Sequence, residues 1–192
     1  MISKPHEAYR SRVLERIQHR DQWPDFERHE FLTELKEIAD DSFSQNTTAG
    51  YLGALLIYHQ LLQEMIVLLI LDAEFYLQLT VFPEQIIIPI KKKAMFGELM
   101  SELERTVNFG DKSEFIKHCN ELNTIRIDLA HRLTKKTYIR TIEDLARRAK
   151  SIFEDGFESF EKAHWWFTLK FKNYAKDALW QRKARKLIQE SA

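Results

Sequence analysis

The chain has 192 residues, with 29 basic and 29 acidic side chains, five Gly, four Pro and one Cys. That length supports a self-sufficient core, and the charge balance offers no global field for a nucleic acid or an anionic membrane. The lone Cys119 excludes an internal disulfide and any multi-cysteine zinc site. A reduced, cytoplasmic setting is expected, and the charged N-terminal run MISKPHEAYRSRVLERIQ lacks the apolar stretch of a signal peptide.

Few Gly and Pro beside abundant Leu, Glu, Lys, Ile and Ala point to helix. Residues 7–22 read as an amphipathic helix ended by Trp23-Pro24, since the residue before proline is pushed out of the α region. A second helix is expected over 25–40, with Phe31, Leu32, Leu35 and Ile38 on one face. The polar run from Asp40 to Gly50 reads as a connector and as the clearest internal boundary. From Tyr51 to about Leu79 runs the longest apolar helix, hydrophobic almost all round near Leu61–Leu71, the mark of a helix at the centre of a bundle. His59, Gln60, Gln63 and Glu64 within it favour a buried core helix over a membrane span, because an ionised Glu in a bilayer is costly.

Pro83 and Pro89 bracket a short extended crossover, and 91–107 returns to helix with Met95, Phe96, Leu99 and Leu103 inward. Asp111 followed by Glu114 resembles a capping box for a helix over 113–134. Thr141 with Asp144 suggests another N-cap. Residues 142–190 form one or two long helices, with Gly156 as the expected interruption. The fold class is therefore all-α: a helical bundle over 50–160, extra N-terminal helices over 1–49, and a C-terminal basic and aromatic helix over 161–192.

The segment 121–133 carries the polar interruptions. With Leu122 at zero on a helical wheel, Phe115, Cys119, Ile125, Leu129 and Leu133 fall within about 60° and define a core face. Arg126 lies at about 40°, at the edge of that face, and His131 at about 180°, with Asp128 one turn earlier. On one regular helix Arg126 and His131 diverge by about 140°, so joint action needs an irregular helix or a second subunit.

Leu122-Asn123-Thr124-Ile125-Arg126-Ile127-Asp128-Leu129-Ala130-His131 resembles the LN-x-x-RN-x-x-AH signature of the HEPN (higher eukaryotes and prokaryotes nucleotide-binding) superfamily. The preceding Tyr58-His59-Gln60-Leu61-Leu62-Gln63-Glu64 helix and Phe96-Gly97-Glu98-Leu99 agree with it, and the likeness covers about residues 50–135. The resemblance implies a dimerising helical bundle. Many members are metal-independent endoribonucleases of toxin–antitoxin or phage-defence systems, and others are noncatalytic binding or regulatory modules. It implies that His131 moves the proton, a task suited to imidazole at neutral pH, and that Arg126 holds the scissile phosphate. Asn123 belongs to the signature, and Asp128 is placed to fix the His131 tautomer. The implied partners are a second copy, RNA, and a cognate antitoxin or regulator. No cofactor is implied. Ile127 departs from the pattern, which carries a polar residue after the Arg in active members, and Leu133 stands where one toxin branch has Tyr.

Plainer readings stand beside these. An arginine at a core edge is commonly a snorkelling side chain with a carboxylate partner. Glu64, a carboxylate among apolar residues, either pairs with Arg126 or assists a site. His59, His118 and His131 show no zinc-type spacing, so no metal is expected. In the C-terminal segment, Lys170, Lys172, Arg182, Lys183, Arg185 and Lys186 interleave with Phe171, Tyr174 and Trp180. Such a stretch tracks an RNA backbone or covers the bundle or a partner, and the upstream Trp165-Trp166-Phe167 favours packing.

Overall fold

A computed structural model describes residues 4–84, 94–135 and 138–189. Among them are seven α-helices, two 3-10 turns and no strand, an all-α fold. The helices are α1 (Lys4–Gln18), α2 (His29–Ser44), α3 (Thr48–Val81), α4 (Phe96–Arg105), α5 (Lys112–Arg132), α6 (Ile139–Lys176) and α7 (Ala178–Gln189). The crossover expected at 83–89 lies mostly outside the described residues.

Two compact units divide the chain differently from the expected 1–49, 50–160 and 161–192. The first unit takes Met1–Asp25, Leu68–Phe109 and Ala163–Ala192, and the second takes Phe26–Val67 and Gly110–Lys162. α3 and α6 each contribute a segment to both.

In the first unit, Val13 and Ile17 of α1, Leu69 and Phe75 of α3, Leu99 and Leu103 of α4, and Phe167 and Phe171 of α6 are all buried. In α1, α4 and α6 the two named residues are four apart and share one face, whereas Leu69 and Phe75 lie six apart on different sides of α3, a helix buried on more than one side. Aromatic rings join these faces: Phe75 and Phe171 have centroids 4.8 Å apart, and Trp23 meets Phe171 edge-on at 5.6 Å. α7 packs on α1, with Ala184 only 1% exposed and the Arg10 guanidinium donating to the Leu187 carbonyl at 3.3 Å.

In the second unit, Leu62 and Ile66 of α3 are buried, as are Phe115, Cys119, Leu122, Ile125 and Leu129 of α5 and Phe153 of α6. Each large apolar side chain so removed from water contributes about 1.5–3 kcal/mol. Tyr58 stacks on Phe153 at 4.5 Å. Its hydroxyl donates to Asp40 at 2.7 Å, where Lys36 and Lys150 also donate, at 2.8 and 2.9 Å. Burial would raise the Asp40 carboxyl, but these three donors hold it far below the usual carboxylate range.

Several element boundaries differ from expectation for identifiable reasons. α2 runs on through Ser44, because Asp40 reaches Tyr58 and Phe43 meets Tyr51 edge-on at 5.2 Å, so the connector shrinks to Gln45–Thr47. Asn46 takes the left-handed conformation there (φ 53°), and Thr47 Oγ1 accepts from the Gly50 amide at 3.0 Å as a cap for α3. Gly50 is required: a Cβ would collide with the Ser42 carbonyl oxygen.

Asp111 also sits in the left-handed region (φ 60°) and makes no side-chain cap, so the expected box with Glu114 does not form. A cap needs extended backbone at that residue. Instead Glu98 accepts from the Met95 amide at 2.9 Å at the start of α4. α6 begins at Ile139, which puts Thr141 inside the helix, and it passes uninterrupted through Gly156. Gly156 is buried with no positive φ, and a Cβ there would stand at an ordinary 3.4 Å from both His118 and Leu62, so nothing at this position obliges the helix to break. The break comes at Asp177, whose Oδ1 accepts from the amides of Leu179 at 2.9 Å and Trp180 at 3.0 Å.

Candidate functional site

α5 is a regular helix through Arg132 and then tightens into a 3-10 turn over Leu133–Lys135. Its expected core face is buried from Phe115 to Leu129, whereas Leu133, at the end of the helix, is 37% exposed. The regular course removes the irregular-helix option: Arg126 and His131 stay about 140° apart within one chain. Arg126 is half-buried, and Ile127, Ala130 and His131 are exposed. Asn123, Arg126, Ala130, Ile127 and His131 fill one continuous arc of about 140° that runs from the half-buried edge of the core face to the exposed side of α5.

The histidine near Arg126 is His59 of α3. His59 is 4% exposed, and its Nε2 stands 3.1 Å from Asn123 Oδ1. Burial lowers its pKa; the bond to Asn123 opposes this, and the charge of Arg126 adds to it. The ring is therefore neutral at pH 7. Glu64 is half-buried and forms no hydrogen bond or ion pair with Arg126 among the described residues. His131 likewise makes none, so no Asp128 contact fixes its tautomer within one chain. Cys119 is fully buried and burial pushes its thiol up, leaving it unreactive. No group of three potential metal ligands converges among the described residues.

A second polar cluster, in the first unit, was missed from the sequence. Asp72 of α3 is 0% exposed, and its Oδ2 lies 2.7 Å from His164 Nδ1 of α6. Asp72 Oδ1 has no hydrogen-bond partner among the described residues. Burial raises the Asp72 carboxyl to about 6, although His164 and Arg16 pull the other way. Burial alone would lower His164, but the hydrogen bond and charge of Asp72, with Asp25 beyond, carry it above its ordinary value. Arg16 lies over the Phe75 ring, 4.2 Å from its centroid. The available signal was an aspartate within an otherwise apolar helix, Leu71-Asp72-Ala73, which needs a partner when buried.

The basic C-terminal residues are spread over α6 and α7. Lys170 lies over Trp166 at 4.9 Å and Lys172 over Trp165 at 4.4 Å. Arg182, Lys183, Arg185 and Lys186 are exposed on the faces of α7 flanking the buried Ala184. Packing of α7 thus uses its small apolar residue and leaves its cations at the surface. α3 has the length and apolarity to cross a membrane, and 61% of its most apolar window is buried inside the protein. No protein-family model, curated protein or solved structure matches the chain.

Proposed function

We propose that this chain is a HEPN-like, metal-independent endoribonuclease whose site is completed when a second copy packs against the outer face of α5. The observation that supports this reading is the single arc of a regular helix, running from its half-buried edge to its exposed side, that holds Asn123, Arg126 and His131. A two-fold contact along that arc brings the Arg126 of one copy toward the His131 of the other. His131 takes the proton of the RNA 2′-hydroxyl as the 2′-oxygen bonds to phosphorus and the P–O5′ bond opens; the proton passes to the leaving 5′-oxygen. Arg126 neutralises charge on the phosphoryl oxygens. The exposed cations Arg182, Lys183, Arg185 and Lys186, with Lys170 and Lys172, are candidate contacts to the RNA backbone or to an antitoxin-like partner.

The test is cleavage of single-stranded RNA by pure protein in EDTA. His131→Ala and Arg126→Ala should each lower cleavage by about 100-fold or more. Mixing the two inactive variants should restore activity that neither has alone. A second reading, a noncatalytic binding or regulatory module, draws on Ile127, which is 43% exposed where the resemblance asks for a polar residue. Leu133, Tyr138 and Ile139, also exposed, continue that apolar character along the chain. RNA left intact by a dimeric preparation would favour this second reading.

A further inference from the structure

We infer that His59 is a positioning residue that fixes Asn123 beside Arg126 as a two-residue clamp for a phosphodiester oxygen of RNA. This rests on the ribonucleic-acid reading above and adds a member from outside the α5 motif. Asn123 and Arg126 are one helical turn apart, a spacing that makes their side chains neighbours. His59 approaches Asn123 from below, on the core side, with Nε2 at 3.1 Å from Oδ1. When Nε2–H donates to that oxygen, the amide of Asn123 is held by its oxygen and keeps its two N–H donors for a ligand on the half-exposed side of α5, which Arg126 shares. The residue four positions beyond Arg126 is Ala130, exposed and too small to cover the cation. No carboxylate ties up Arg126: it forms no ion pair among the described residues.

The chemistry also explains why a neutral group occupies position 59. A permanent cation there would repel Arg126, and a carboxylate would neutralise it, whereas a buried neutral imidazole orients the amide and leaves the arginine's charge for the ligand. An amide donor beside a guanidinium matches an anionic oxygen, which accepts from both.

His59→Leu removes the donor at nearly constant volume, and His59→Gln supplies another N–H for Asn123 Oδ1. Two readouts are used: cleavage kinetics of single-stranded RNA, and binding of a 2′-O-methyl oligonucleotide, which cannot be cleaved through its 2′-oxygen. Expected are a roughly tenfold rise in KM and in oligonucleotide Kd for His59→Leu, with recovery to within about twofold in His59→Gln. Asn123→Ala should match His59→Leu, and the double variant should lose no more than either alone. Binding unchanged in His59→Leu, or losses that simply add in the double variant, would overturn the inference. An intact substrate with these binding effects present would sink the ribonuclease reading while upholding the clamp. Absence of oligonucleotide binding by the unmodified protein would overturn the clamp itself.

Discussion

His59 and His164 are both drawn out of water, one in each unit, and their proton affinities move in opposite directions. Desolvation is the leading influence on both and pushes both toward the neutral ring. His59 meets an uncharged amide and a nearby cation, so nothing reverses that push. His164 meets a carboxylate at 2.7 Å, which overrides it. Burial therefore does not decide what a histidine does; the charge of its first partner does. The first arrangement leaves a cation available on a helix face, and the second spends its charges on each other inside a core.

The strongest way to break this comparison is to remove each ring. His164→Ala leaves Asp72 fully buried with neither oxygen bonded and should cost about 3–5 kcal/mol, read by urea denaturation followed by circular dichroism. His59→Ala removes a bond to a half-exposed amide rather than to a buried carboxylate and should cost less, about 1–3 kcal/mol.

Titration gives a second, smaller contrast. Asp72 and His164 both bind their protons more tightly folded than unfolded, so their contribution is complete at low pH and lost as pH rises. For Asp72 the loss runs from about 4, its unfolded value, through about 6 in the folded chain. For His164 it begins near about 6.5 and ends at its raised folded value. Asp40 acts in the opposite sense, its contribution disappearing as pH falls below about 4. The melting temperature should accordingly be higher near pH 5.5 than at pH 8, and Asp72→Asn should flatten that slope.

Exchanging the partners sharpens the comparison further. Asn123→Asp gives His59 the kind of neighbour His164 has, so its midpoint in an NMR titration should rise. Asp72→Asn should lower that of His164. The smallest expected effect lies away from both rings. Gly156→Ala should stabilise the second unit by about 0.5–1 kcal/mol in the same denaturation assay, because the added methyl meets His118 and Leu62 at ordinary contact distance.

The helices could be read from the sequence because apolar spacing reports burial directly: the α5 wheel correctly placed Phe115, Cys119, Leu122, Ile125 and Leu129 inside. The ends were harder. Gly156 and Thr141 carry the local marks of a break and a cap, yet tertiary packing keeps both in helix. Asp177 is the true cap, with only one helical residue type of many to announce it. The edge position of Arg126 and the exposure of His131 followed from the wheel, whereas His59–Asn123 and Asp72–His164 join residues 64 and 92 positions apart. No local pattern encodes such pairings, because they depend on which helix lies next to which.

The order in which the two units are spelled out along the chain has a consequence for biosynthesis. The second unit is complete once residue 162 has left the ribosome, whereas the first also needs Ala163–Ala192, which are translated after its α1 and α3 segments. Until then α1 and Asp72 lack the α6 segment bearing His164, and the carboxylate meant for the interior has no ring to bind. Nascent chains arrested before His164 should therefore hold α1 in a protease-sensitive state, while Asp40 and Tyr58 already have Lys150 as their partner. The second unit has all of its segments before the first does, and α1 waits for a partner translated well after it.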